Sequence, residues 1–328
     1  MKTWLLLLFI PCVGLQLSAQ ISIGENLRLE GSGAFGYVSS DSSTSGKTTD
    51  LSVEELFVKL HLGSGKVTAG LDLHLEGPSL DVEEALVNYV YNEMLTLSIG
   101  QFRSLLFYEA DHFSERLSRT RAQEMFSEIV PLENRGIRSM IDTEKGWLTV
   151  SWTDQLWDQP TGRGGVLTGS SGSVEVQLGY KPLEGLKLAY AYGGQDSGGD
   201  GPNSQLWDVW ISYERDKYLL VAEYVDFDNA GAQDADSNGI LVKSEYLSGK
   251  TWMLLGNYQH DEKTSFTLRF SEEEQTGGGK SSKWTLTPSY ALTDNLGARL
   301  EFSRDDRTQP ALADEEIDTF SLEGLFRF

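Results

Sequence analysis

Glu316-Ile-Asp-Thr-Phe-Ser-Leu-Glu-Gly-Leu-Phe-Arg-Phe328 is the stretch on which the reading of the fold turns. Phe320, Leu322, Gly324, Phe326 and Phe328 fall on one face. Ser321, Glu323 and Arg327 fall on the other, with Leu325 as the one apolar residue among them. Side chains that alternate with period two mark a β-strand. Its apolar face has two homes: in a soluble sandwich it meets a second sheet, and in a closed barrel standing in a bilayer it meets lipid while the polar face lines a wet interior. Which one applies depends on whether the pattern repeats along the chain.

The 328 residues carry a net charge of −22, and so acidic a balance argues against nucleic acid as a partner. Lys2, the apolar run 5–10 and Ser18-Ala19 before Gln20 read as a secretory signal peptide, residues 1–19. That run is too short to cross a bilayer as a helix, and no apolar run of about 18 residues follows Gln20. The single cysteine, Cys12, belongs to the signal, so disulfide and thiol chemistry are excluded from residues 20–328. Yet 34 Gly, 14 Phe, 13 Tyr and 8 Trp are present. Such a chain fits a barrel whose apolar residues are diluted by alternation.

The alternation does repeat. Leu27, Leu29, Gly31, Gly33, Phe35 and Tyr37 share a face, and the polar run 39–50 after them reads as an exposed loop. Residues 31–36 match G-x-G-x-x-G, but without a strand–turn–helix context they read as glycines in a bent strand. Two hairpin strands, 56–62 and 67–76, put Glu55, Lys59, Asp72 and His74 opposite a row of leucines and valines. In a dry core these charges would lie buried away from water at severe cost, which a water-filled lumen removes. A second hairpin, 82–91 and 95–102, places Glu84 on the same inner side. Further strands are expected at 135–142, 146–154, 172–181, 185–193, 204–214, 217–227, 250–259, 264–272, 282–291 and 296–304. Arg269, Arg299, Glu301, Glu323 and Arg327 fall on their polar faces.

Glu83-Glu-Ala-Leu-Val-Asn-Tyr-Val-Tyr91 and Leu95-Thr-Leu-Ser-Ile-Gly-Gln-Phe-Arg103 are similar to the paired strands before the long third loop of Gram-negative outer-membrane porins, of the phosphate-selective-type and beta-barrel porin-2 group. A last alternating strand ending on Phe328 also resembles the closing strand of such barrels, where the final aromatic belongs to the assembly signal. The resemblance implies that residues 103–134 fold into the lumen as a constriction loop, and that three copies associate as a homotrimer. Residues 111–128 of that loop read as helix from the spacing of Phe113, Leu117, Arg121 and Met125 or Phe126. Arg103, Arg116, Arg119, Arg121, Arg135 and Arg138 stand out in so acidic a chain. They read either as an anion-drawing pore constriction or as partners of acids such as Glu109 and Asp111 on a structural loop.

Residues 234–245 match the calcium-loop pattern, with Asp234, Asp236, Asn238, the Ile240 carbonyl and Glu245 as the oxygen ligands for Ca2+. Helical flanks are not evident. Counting 239–247 as a strand would make the total odd, whereas single-chain bacterial barrels are even. Residues 228–249 are therefore expected to form a long external loop. The fold expected is all-β: a transmembrane antiparallel up-and-down β-barrel of about 16 strands, spanning 20–328 as one unit.

A barrel of this size leaves an aqueous channel. The leading function is a porin for passive diffusion of small polar solutes and ions across the bacterial outer membrane, with lipid around it and no cofactor required. An outer-membrane barrel enzyme of lipase or protease type is the first alternative. It is disfavoured because His61, beside the hairpin turn, and His74, further along the neighbouring strand, are read as too far apart to share a site, and neither G-x-S-x-G nor H-E-x-x-H occurs. An exported soluble β-sheet binding protein, such as a lectin, is the second.

Overall fold

The computed structural model describes residues 21–24, 26–76, 79–109, 116–122, 129–131, 133–157, 172–196, 203–230, 247–308 and 313–328. Their strands are β1 (Ile21–Ile23), β2 (Leu27–Ser42), β3 (Gly46–Ser64), β4 (Val67–Glu76), β5 (Ser79–Val90), β6 (Leu95–Arg103), β7 (Glu133–Thr143), β8 (Gly146–Thr153) and β9 (Ser173–Leu183). There follow β10 (Leu186–Gln195), β11 (Ser204–Arg215), β12 (Tyr218–Ala230), β13 (Leu247–Gln259), β14 (Thr264–Gln275), β15 (Lys280–Ala291), β16 (Leu296–Thr308) and β17 (Glu315–Arg327). From β2 onward each strand pairs antiparallel with the next, and β17 returns to β2, with Leu322 opposite Tyr37 and Phe326 opposite Gly33. Among the described residues, sixteen strands thus close an up-and-down barrel. β1 is an addition to it: β3 occupies one edge of β2 throughout, so β1 takes the other edge where β17 stops.

The barrel is built inside out. Leu51, Val53 and Trp152 are 78%, 67% and 68% exposed on the outer surface. With Ile99, Leu220, Leu254, Leu268, Trp284 and many like them they make the apolar belt of a wall that faces hydrocarbon. The polar residues point inward. Leu71, Phe266, Leu268 and Phe270 meet no second sheet, because the one sheet closes on itself.

Closure uses glycines as seats for rings. A Cβ on Gly31 would lie 2.2 Å from the Phe328 ring, one on Gly33 2.4 Å from that of Phe326, and one on Gly324 2.3 Å from that of Phe35. Whereas Gly36 faces Glu323, Gly31, Gly33 and Gly324 thus each face a phenylalanine across the seam. This is the purpose of Gly31 and Gly33, and phosphate binding has no part in it.

Two expectations fail at the chain level. Residues 39–50 are not a loop: β2 runs to Ser42 and β3 starts at Gly46, leaving a three-residue turn. The strands overshoot the bilayer there, so the outward face has no need of apolar side chains. Side-chain bonds hold the overshoot: Ser40 Oγ lies 2.9 Å from Thr319 Oγ1, and Ser42 Oγ donates to Glu315 at 2.5 Å. Likewise β12 and β13 extend to Ala230 and from Leu247, which trims the expected 228–249 loop. The signal segment 1–19 and the calcium-like residues Asp234, Asp236, Asn238, Ile240 and Glu245 lie outside the described residues, as does Asp111.

Candidate functional site: the lumen and its inward loop

The chain leaves the wall at Arg103. The β5–β6 ladder ends two residues earlier, at Ala85 opposite Gln101, which frees the end of β6 to turn inward. The first leg of the loop is fixed to the inner face of β9–β12 by carboxylates that accept main-chain N–H groups. Leu105 donates to Glu175 at 3.2 Å, Phe107 to Asp208 at 2.8 Å and Tyr108 to Glu223 at 2.5 Å. Ser104 Oγ also donates to Glu175. Phe107 has φ of 71°, a left-handed conformation that costs a phenylalanine about 1–3 kcal/mol. Leu106 and Phe107 pack on Ile129, Leu156, Trp157, Leu206 and Phe227, and Tyr108 and Leu117 on Trp147, Trp210, Leu219 and Met253. Around those carboxylates the inner wall from β8 to β13 is packed with apolar side chains and dry where the loop lies.

The second described leg, 116–122, crosses to the opposite wall. Arg119 N–H donates to Glu301 Oε2 at 2.5 Å and Thr120 Oγ1 to Glu301 Oε1 at 2.8 Å. Arg269 Nη1 donates to the Thr120 carbonyl, and Arg299 Nη1 to that of Arg116 at 2.7 Å. Ala122 N–H reaches Glu109 Oε2 at 2.6 Å. These bonds explain why the helix expected over 111–128 is absent from 116–122. The peptide groups that would have bonded within a helix are taken by side chains of the wall; the rest of that stretch lies outside the described residues.

Glu109 and Arg119 of the loop, and Arg103 and Arg138 on strands β6 and β7, pair with groups of the wall. Glu109 accepts from Arg269 at 2.6 Å, and Arg119 Nε stands 3.1 Å from both oxygens of Glu54. Arg103 lies 3.6 Å from Asp72 and from Glu83, with its guanidinium over the Phe57 ring. Arg138 is 3.5 Å from Glu175 and stacks over Phe102 at 3.9 Å. Arg116 Nη1 donates to the Arg119 carbonyl, and Arg121 belongs to the same segment.

Arg135 is a correction. It sits opposite Gln101, two residues along from the exposed pair Ile99 and Ile137, and so projects from the outer surface, where its Nε donates to Gln101 Oε1. It takes no part in a constriction.

All ten residues expected on the inner side lie there: Glu55, Lys59, Asp72, His74, Glu84, Arg269, Arg299, Glu301, Glu323 and Arg327. They are drier than a wet lumen implies. Arg269, Arg299, Glu301, Glu323, Glu55 and Asp72 are all at most 2% exposed. Arg299 Nε donates to Glu323 Oε2 at 2.6 Å, and His74 Nδ1 lies 2.8 Å from Glu83. At this height the lumen is a network of paired charges closed over by the loop.

Two β-bulges add acids that alternation hides. In β3 the register slips where Ala34 faces Glu55 but Phe35 faces Val53, and in β4–β5 where Asp72 faces Glu84 but Leu73 faces Val82. The extra residues are Glu54 and Glu83, both buried on the inner side. Val53-Glu-Glu-Leu56 and Val82-Glu-Glu-Ala85 thus each deliver two successive carboxylates inward. The break in period at each Glu-Glu was the signal for them.

A closed barrel with an apolar outer belt and a charged interior narrowed by its own folded-in loop defines an outer-membrane channel. The chain belongs to the Gram-negative porin family, whose pattern it matches over residues 13–310. That family places it in the outer membrane as a channel former. None of the curated proteins matches the sequence. Among solved structures, the anion-selective porin from Comamonas acidovorans is similar with a TM-score of 0.67 at 9% identity, over 92% of this chain and 99% of that one. Salmonella typhi OmpF in complex with daunomycin has a TM-score of 0.65 at 12% identity, covering 94% and 100%. OmpT of Vibrio cholerae in its trimer form has a TM-score of 0.62 at 11% identity, covering 93% and 100%. At such identities these likenesses speak for the fold.

Proposed function

We propose that this porin passes small polar solutes and ions by passive diffusion with a weak preference for cations. The observation that supports this is the pairing of Arg103, Arg119 and Arg138 with wall carboxylates, which takes these three guanidiniums out of any ladder that would draw anions. On the inner face of β3–β5, Glu54, Glu55, Asp72, Glu83 and Glu84 stand against Lys59 and the nearby Arg103 and Arg119. The excess is negative, and fixed charge near a narrow path sets ion preference. Purified protein in a planar bilayer under a tenfold KCl gradient gives a reversal potential of cationic sign on this reading; an anionic sign refutes it.

We read the barrel as a channel: His74 stands between the carboxylates Glu83 and Glu55 as one more member of the paired-charge network of the lumen. Export is through a cleaved leader, so sequencing of the mature amino terminus is expected to begin at Gln20. Association as a homotrimer follows the family; an unheated detergent gel running at three times the monomer mass tests it.

A further inference from the structure

Above the inward loop, at the end of the barrel where the long connections lie, is a cavity of about 280 Å³. Arg119 and Thr120 of the loop form its floor, and β2, β3, β15, β16 and β17 its walls. It sits at the small end of ligand pockets, which run from about 300 Å³ upward, and so admits a short chain or a single ring.

Its wall carries a row of hydroxyls. Ser303 lies directly opposite Thr319, Thr319 opposite Ser40, and Ser40 opposite Thr48, one residue from each of β16, β17, β2 and β3. All four line the cavity. Neighbouring strands are about 4.8 Å apart; Ser40 and Thr319 bond to each other at 2.9 Å, and since a hydroxyl has one donor and two acceptor sites, the row still offers hydrogen-bonding capacity to the cavity. One step deeper on the inner face of β17, the Ser321 hydroxyl is 1% exposed and has no hydrogen-bond partner among the described residues. Ser321 lies just beyond the cavity lining, and a buried hydroxyl in that state calls for an ordered water or other small polar partner beside it.

The charges around the cavity cancel. Arg307 holds Asp305 at 2.7 Å, Arg119 holds Glu54, and Glu315 accepts from Ser42 at 2.5 Å and Thr44 at 2.7 Å. The lining itself carries Arg119, Lys283 and Arg307 against Asp305 and Glu315, and Glu54, which pairs with Arg119 from outside the lining, brings the count level. Such a site gives little reason for an ion to stop and good reason for a molecule rich in hydroxyls to do so.

We propose that this vestibule is a binding subsite for a neutral polyol or single-ring sugar on its way to the constriction. The inference rests on the porin reading and names a solute class for it. The test measures single-channel current through the purified protein in KCl while mannitol is added on the side of the long loops. A polyethylene glycol of equal hydrodynamic radius, inorganic phosphate, and the double variant Ser303→Ala/Thr319→Val complete the set.

Mannitol is expected to reduce the current in a saturating manner with excess noise, and polyethylene glycol only in proportion to bulk conductivity. The double variant is expected to keep its KCl conductance and to bind mannitol roughly tenfold more weakly, as the loss of two neutral hydrogen bonds implies. Equal saturation by polyethylene glycol overturns the proposal. So does an unchanged half-saturation in the variant, or phosphate saturating at lower concentration than mannitol. A protein with no KCl conductance at all instead overturns the porin reading beneath it.

Discussion

Replacing Arg269 by Met tests whether the inward loop is held by the wall. The guanidinium makes four hydrogen bonds: Nη1 to Glu109 Oε1 and to the Thr120 carbonyl, both at 2.6 Å, and Nη2 to Thr120 Oγ1 at 2.8 Å and Thr285 Oγ1 at 3.2 Å. Three of the four end on the loop. Methionine keeps much of the stem volume and deletes them all, leaving the Glu109 carboxylate buried without its cation. Removing one partner of a buried pair costs about 3–5 kcal/mol. At about 1.4 kcal/mol per decade, a loss near 4 kcal/mol raises the population of the lifted loop by roughly a thousandfold. The bonds from Glu301 and Arg299 remain, so the segment 116–122 fluctuates and does not depart. Single-channel recording in KCl is expected to show larger mean conductance and marked open-channel noise, with the unfolding temperature of the barrel scarcely moved. Adding Glu109→Gln removes the stranded charge and returns most of the wild-type behaviour. A folded R269M channel with wild-type conductance and noise would refute the argument that these bonds hold the loop.

Exchanging a seam pair, Gly33→Phe with Phe326→Gly, keeps one ring per glycine. It is expected to restore the unfolding temperature lost in Phe326→Gly alone, where each cross-strand pair is worth about 0.2–1 kcal/mol; refolded protein on unheated gels over a temperature series measures it. Arg119→Ala is expected to shift the reversal potential toward cations and Arg135→Ala to leave it unchanged, because only Arg119 faces the lumen; equal shifts in both would contradict the placement of Arg135. In the turn between β13 and β14, the Lys263 N–H above all, together with the Thr264 N–H, holds the Asp261 carboxyl below the ordinary aspartate range. A carboxyl lowered by folding adds stability above its unfolded pKa of about 3.9 and loses it as pH falls through the folded value. The stability difference between wild type and Asp261→Ala should therefore hold from pH 8 to 5 and shrink only in stronger acid, as urea titrations would record.

Period two made the barrel legible, because a wall between lipid and lumen forces alternation on every strand. The last strand and the inward set from Glu55 to Arg327 follow from it, while the even count came from the rule that single-chain bacterial barrels have even strand numbers. What alternation cannot carry was missed. Glu54 and Glu83 come inward through bulges, where one extra residue resets the phase. The dry sector of the lumen was hidden because its strands are apolar on both faces, as in Leu219-Leu220-Val221 and Met253-Leu254-Leu255. The supposed helix failed because peptide groups at 116–122 had better partners in Glu301, Arg269 and Arg299 than in one another. Arg135 was legible and misread: it is three residues from Arg138, and an odd spacing puts the two on opposite faces of a strand.

The ring seats where β17 meets β2 bear on how the cylinder is joined. Among the described residues this is the one contact of the cylinder between strands remote in sequence, and no turn sets its alignment. Sliding β17 by two positions in one direction would bring Phe326 onto Phe35, ring against ring; sliding it the other way would set Gly324 opposite Gly33 and leave a gap. Misalignment by a single position would turn the oily side chains of the strand to the water side. The last strand thus works as a notched key that fits its partner in only one position.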